Sequence, residues 1–175
     1  MLNFRKAEEK DIEIAASIYD EIHTLEEQGV TCVGWIRGVY PTYDTAKMAF
    51  DRGDLFVAEN DRKIIGTAII NKIQMDSYKD AVWQYDADDK EIMVLHTLVI
   101  SQKEANKGYG KEFVNFYEEY SLSQGCRYLR MDTNAKNTRA RTLYKKLGYK
   151  EIGIVGCTFN GIEGVSLVLL EKKIG

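Results

Sequence analysis

The sequence predicts an α/β (α+β) fold of seven strands and about four helices, and three observations carry that expectation. The run from Ile92 to Ile100, IMVLHTLVI, is mostly apolar on both alternating faces, as a central strand covered on each side would be. A polar bend then leads through Asn106-Lys107-Gly108-Tyr109-Gly110-Lys111 into a helix whose Phe113, Phe116, Tyr117 and Tyr120 recur at helical spacing. Elsewhere, pairs of short apolar runs are joined by polar or glycine-bearing turns, the pattern of hairpins.

Residues 2–7 read as a first strand, and 8–27 as a helix with Ile12, Ala15, Ala16, Tyr19, Ile22 and His23 on one side. Residues 29–41 form an irregular aromatic segment that holds the only proline, Pro41. A second helix at about 42–52 ends at Gly53. Strands at about 54–60 and 63–71 meet in the polar turn Glu59 to Arg62. A longer connection, 72–90, is rich in Asp and Tyr and carries Trp83. After the central strand and the glycine turn come a strand at about 127–132 and a helix carrying Tyr144. Closing strands at about 150–158 and 164–171 turn at Asn160-Gly161. The order is β-α-α-β-β-β-α-β-α-β-β. No repeat, low-complexity tract or linker interrupts it, so residues 1–175 are read as a single domain.

A chain of 175 residues can bury a real core, and 45% hydrophobic with 29% charged residues is ordinary for a soluble globular protein. A net charge of −3 and a pI near 5.5 do not suggest a nucleic-acid surface. No apolar run approaches a membrane span, and the first ten residues lack a signal-peptide core. Cys32, Cys126 and Cys157 are odd in number and widely spaced; they form neither a disulfide framework nor a metal-ligand pattern. A cytoplasmic protein without a metal is therefore expected.

The glycine turn is the chemically loaded segment. A helix start offers free N–H groups and partial positive charge, and glycine lets backbone close on a phosphate. Lys107 and Lys111 add mobile charge, which suggests a pyrophosphate site. The plain alternative is a tight turn. A dinucleotide fold is disfavoured, because the third glycine is missing and the motif lies in the second half of the chain.

The stretch Ala105-Asn106-Lys107-Gly108-Tyr109-Gly110 resembles the acyl-CoA signature of the GNAT N-acetyltransferase superfamily, usually written Gln/Arg-x-x-Gly-x-Gly/Ala. The stretch from Met131 to Tyr149, MDTNAKNTRARTLYKKLGY, resembles that superfamily's following motif, in which a strand ends near an Asn and a short helix opens at a second Asn. The resemblance covers about residues 54–171 in element order and is specific over 91–150. It departs at Ala105, where Gln or Arg is usual, and at Asn106, where glycine is common. It implies a mixed, mostly antiparallel sheet splayed near its middle, with acetyl-CoA as co-substrate in the opening.

By that resemblance, the main chain of Leu98, Val99 and Ile100 would pair with the pantetheine arm, and a strand N–H near Leu98 would stabilise the oxyanion. Lys107, Gly108, Tyr109, Gly110 and Lys111 would hold the pyrophosphate, the plain reading of the lysines being a solvated helix start. Asn137 would hydrogen-bond the CoA arm while also suiting an N-cap, with Asn134 as the second candidate. Tyr144 would protonate the departing thiolate; as one of an apolar stripe with Ala140, Leu143 and Leu147, it also reads as core.

For the general base, His96 is expected on the same face of the central strand as Leu98, resembling one of two histidines of the arylalkylamine N-acetyltransferases. A structural histidine is its alternative. Glu91 could act through water, and Asp86 or Tyr85 could approach from the preceding loop. Trp35, Tyr40, Trp83 and Tyr85, with Tyr43 and Tyr78 in the same loops, are candidate walls for the acceptor or anchors for the loops themselves. The expected activity is acetyl transfer from acetyl-CoA to a primary amine by direct attack in a ternary complex. A small amine, an amino acid and a protein amine all stay open as the acceptor, and a homodimer is left open too. The rivals are a catalytically silent acyl-CoA-binding regulatory module and a generic nucleotide-binding α/β domain.

Overall fold

The computed structural model describes residues 2–175. Its seven strands are β1 (Leu2–Lys6), β2 (Leu55–Asn60), β3 (Lys63–Asn71), β4 (Ile92–Ile100), β5 (Tyr128–Asn134), β6 (Lys150–Phe159) and β7 (Ile162–Lys173). Its α-helices are α1 (Ile12–Glu27), α2 (Tyr43–Arg52), α3 (Tyr109–Ser123) and α4 (Thr138–Lys146). The element order is the one read from the sequence, because each boundary carries its own local signal. Thr42 and Thr45 close the first turn of α2, Thr42 N–H donating to Thr45 Oγ1 at 2.9 Å, and Gly53 ends it at φ +77°. The β2–β3 and β6–β7 hairpins turn on left-handed pairs, Asp61-Arg62 and Asn160-Gly161.

The strands lie in the order β1-β2-β3-β4-β5-β7-β6, with β4–β5 the parallel pair and every other neighbour antiparallel. Alternation divides β4 cleanly in its first half. Met93 and Leu95 pack with Phe113, Val114 and Tyr117 of α3 and Tyr144 of α4. Ile92 and Val94 point the other way, under Tyr78 and Trp83 of the 72–90 connection. That connection covers the part of the second face not occupied by α1 and α2, whose Ile12, Ala15, Ile18, Ala46 and Ala49 pack on Leu55, Val57, Ile69 and Val99. Burying such a side chain contributes about 1.5–3 kcal/mol for the larger aliphatic and aromatic ones.

Two irregularities open the sheet. Pairing between β4 and β5 runs from Ile92–Tyr128 to Leu95–Met131 and stops there, although both strands continue. Tyr117, whose hydroxyl donates to Met93 O at 2.7 Å, ties α3 to the paired half. The second irregularity is a bulge. Ile69 and Thr67 of β3 face His96 and Val99 of β4, so β4 spends one extra residue there, and Thr97 takes φ +51°. The bulge corrects the expectation for His96. It inverts the alternation, leaving Leu98 and Ile100 on the α3–α4 face with Leu95, and His96 on the opposite face with Val94. Among the described residues no helix is long and apolar enough to cross a membrane.

Candidate active site

The gap between β4 and β5 leaves backbone groups without a strand partner. Ser101 N–H donates to Ile65 O of β3 at 2.8 Å, so by strand alternation the main-chain groups of Leu98 and Ile100 turn away from β3 and into the gap. An extended ligand carrying amides can pair there as an added strand.

On the α3–α4 side the gap widens into a groove of about 590 Å³. Leu98 and Ile100 form its floor, the turn from Ala105 to Lys111 one rim, and residues 136–140 with Leu143 and Tyr144 the other. Asn106 (φ +65°) and Gly108 (φ +85°) bend the turn so that α3 begins pointing its first N–H groups at the groove. Lys111, Lys136 and Arg139 line it against one carboxylate, Glu104. Arg139 reaches the turn, donating to Asn106 Oδ1 at 2.9 Å. Glu21 of α1 holds the turn's approach, accepting from Ser101 Oγ at 2.8 Å and Gln102 N–H at 2.9 Å. Free helix N–H groups, three cations and an exposed strand edge fit an extended ligand with a diphosphate.

On the other side of the gap lies a smaller chamber of about 180 Å³. Val33, Trp35 and Tyr40 from the 29–41 segment and Phe159 of β6 wall it, with Tyr40 standing edge-on to Trp35 (6.3 Å) and to Phe159 (5.3 Å). The segment is fixed from α1: Glu26 accepts from Thr31 Oγ1, Val33 N–H and Gly34 N–H at 2.8–2.9 Å, and His23 Nε2 hydrogen-bonds Pro41 O at 2.8 Å. Gly34 at φ +78° lies against Asn134, where an added Cβ would sit 2.3 Å from Nδ2. Tyr40 and Thr97 share a hydrogen bond between their hydroxyls, which ties the wall to the bulge.

Asp132, the residue after the last β4–β5 pair, faces this chamber. Its Oδ2 accepts from Tyr78 OH at 2.7 Å. Burial pushes its pKa up to about 6, and the Tyr78 hydrogen bond works against that rise. The groove and the chamber share Leu98, Asn137 and Tyr144 in their linings. Asn137 caps α4, its Oδ1 accepting from Ala140 N–H at 3.1 Å. Tyr144 is nearly buried, and its hydroxyl makes no hydrogen bond among the described residues. Burial, with the charge of Asp132 adding, raises its pKa well above the usual phenol range.

The structure therefore gathers Leu98, Val99, Ile100, Gly108, Tyr109, Gly110, Lys111, Asn134, Asn137, Tyr144, Trp35 and Tyr40 around one continuous cleft. Other candidates lie elsewhere. Lys107 is exposed and paired with Glu104 at 2.7 Å. His96 Nε2 hydrogen-bonds Asn71 Oδ1 at 2.9 Å outside the cleft, and burial lowers its pKa to about 4. Glu91 sits before β4, at the end remote from the bulge, its carbonyl accepting from Arg127 N–H at 3.1 Å. Trp83 donates to Tyr78 O and stacks over Arg130, while Tyr85 packs on Tyr128. Both anchor the 72–90 connection. Sequence reasoning missed Asp132, Thr97, Arg139 and Phe159. For Asp132 there was a signal: a lone carboxylate two residues before Asn134, on a strand otherwise entering the core.

The sequence model of the acetyltransferase (GNAT) family matches residues 16–149. No curated protein matches the chain. Among solved structures, a GNAT-family acetyltransferase from Streptococcus agalactiae is similar with a TM-score of 0.81 at 20% identity, over 99% of this chain and 96% of that one. An N-acetyltransferase from Staphylococcus aureus gives 0.71 at 18% identity, over 99% and 98%. The structure of yncA from Salmonella typhimurium with its cofactor acetyl-CoA gives 0.71 at 12% identity, over 100% and 95%. With a family match over most of its length and the splayed sheet that goes with it, the chain belongs to the GNAT family of acetyltransferases.

Proposed function

We propose that the protein moves the acetyl group of acetyl-CoA onto a primary amine by direct attack in a ternary complex. The observation that carries the proposal is the junction of the two cavities at Leu98 and Tyr144, which lets a thioester held from one side meet an amine held from the other. The main chain of Leu98 and Ile100 holds the pantetheine arm. The first N–H groups of α3, with Lys111 and Arg139, hold the diphosphate, and Asn137 contacts the arm where the cavities meet.

Asp132 replaces His96 and Glu91 as the proposed base, since it faces the chamber and is mostly ionised at neutral pH with a pKa near 6. The incoming ammonium gives one proton to Asp132, and the freed lone pair forms the C–N bond. A β4 N–H beside the Thr97 bulge stabilises the oxygen as it becomes negative. As the C–S bond breaks, Tyr144 supplies a proton to sulfur, and the nitrogen's surplus proton makes up that loss. The proton on Asp132 leaves to solvent. Its raised pKa keeps Tyr144 protonated until sulfur develops charge.

Thiol release from acetyl-CoA with a panel of amines tests this. Amine-dependent release is expected in the native protein, with the rate in Tyr144→Phe lower by about 10²-fold or more. Release that is indifferent to amine, or equal in the variant, would count against the mechanism.

A further inference from the structure

The small chamber has one ionised group and no counterpart. Among the described residues that line it, Asp132 is the only carboxylate, and no Lys, Arg or His lines it. The remaining polar groups are neutral and partly committed. Tyr40 is bonded to Thr97, Asn134 Oδ1 accepts from Lys136 N–H at 2.9 Å, and Asn137 Oδ1 caps α4. The other surfaces are Trp35, Phe159, Val165 and Leu167.

An ammonium entering here meets Asp132 and aromatic walls, both of which favour a cation. A carboxylate on the neighbouring carbon of the same ligand would arrive with no cation to receive it and with Asp132 a few ångströms away. Burying an unpaired charge beside a like charge is among the most costly arrangements a site can impose. Size narrows the choice further, since a cavity of about 150 Å³ holds one benzene ring and this chamber is about 180 Å³.

We infer that the acceptor is a small monocationic amine, with an apolar body of about one ring and no carboxylate beside the amine, so that free α-amino acids are excluded by charge. This rests on reading the chamber as the acceptor side of the transfer reaction. Asp132 acts as the specificity-determining group, selecting for the positive charge and against the negative one.

The test uses matched triplets that differ in one group: 2-phenylethylamine, phenylalanine and phenylalaninamide, then isobutylamine, valine and valinamide. Each is measured twice, for binding to the CoA-saturated protein by calorimetry and for acetylation. The inference expects the amine and the amide of at least one triplet to bind, and the amino acid to bind about 100-fold more weakly or not at all. In Asp132→Asn the amine weakens and the gap to the amino acid narrows. Amino acids binding as well as amines would overturn the inference. So would amides excluded as strongly as amino acids, since that points to size. Failure of every amine to bind, or a lysine-containing peptide preferred over all free amines, would overturn it as well. Amines that bind with the expected selectivity but are never acetylated would uphold the chamber's charge selectivity while refuting the transfer reaction and, with it, the acceptor role.

Discussion

The Tyr78 hydroxyl donates to Asp132 Oδ2 at 2.7 Å, joining the 72–90 connection to the first residue of β5 beyond its pairing with β4. A buried tyrosine thereby orients the carboxylate that faces the small chamber and offsets part of the pKa rise that burial causes. That hydrogen bond favours the ionised carboxylate, whereas burial disfavours it.

The first prediction concerns pH. With ionised Asp132 required, kcat/KM should climb as pH rises through about 6, the pKa to which burial lifts the group. Removing the Tyr78 donor removes the influence that lowers this pKa, so Tyr78→Phe should move the acidic limb to higher pH. Asp132→Asn should abolish the limb and most of the activity. An acidic limb unmoved in Tyr78→Phe would separate the titration from Asp132.

Arg139 carries the second prediction. It stands across the groove from the turn and hydrogen-bonds Asn106. Arg139→Ala should raise KM for acetyl-CoA several-fold, leave kcat nearly unchanged, and reduce the dependence of KM on salt. Steady-state kinetics at two ionic strengths decide it, and an unchanged KM would remove Arg139 from the site.

For Gly34, the prediction is steric. At φ +78° any Cβ is strained, and here it would also push on Asn134 Nδ2, so Gly34→Ala should strain the segment that carries Trp35 and shift Asn134. The expected outcome is a loss of about 1–3 kcal/mol in stability together with weaker acceptor binding. Denaturant titration beside acceptor KM reads both effects.

His96 should reveal itself in stability rather than catalysis. Its pKa is lowered to about 4, chiefly by burial. Such a group contributes stability above its unfolded pKa of about 6.5 that is lost as pH falls towards 4. The loss should be at most about 3 kcal/mol across that window. His96→Gln should flatten this part of the stability curve while retaining most acetyl transfer near neutral pH. A pronounced loss of activity there would return His96 to the chemistry.

The element order, the hairpin turns and the glycine turn were legible because their signals are local: alternation, left-handed turn pairs, and a glycine with positive φ at the start of α3. The place of Asn137 and Tyr144 in the cleft was legible because their helix has a characteristic motif. His96 does not share a face with Leu98 because of Thr97, since one extra residue in β4 reverses every face beyond it and no residue type announces that. Trp83 and Tyr85 were indistinguishable from Trp35 and Tyr40 by composition. What separates them is which loop packs on which part of the sheet, a long-range fact set by Glu26 and His23 for one segment and by Arg130 for the other. Asp132 escaped for a related reason, since its surroundings are made by tertiary burial and by Tyr78, 54 residues away in the chain.

The most direct measurement is the pH profile of amine-dependent CoA release for the native protein, Asp132→Asn and Tyr144→Phe, made with an amine shown to bind. A native acidic limb near pH 6 is expected, with its disappearance in Asp132→Asn and a large fall in kcat with little change in KM for Tyr144→Phe. Native-like profiles in both variants would contradict the assignment of the cleft as the site of transfer.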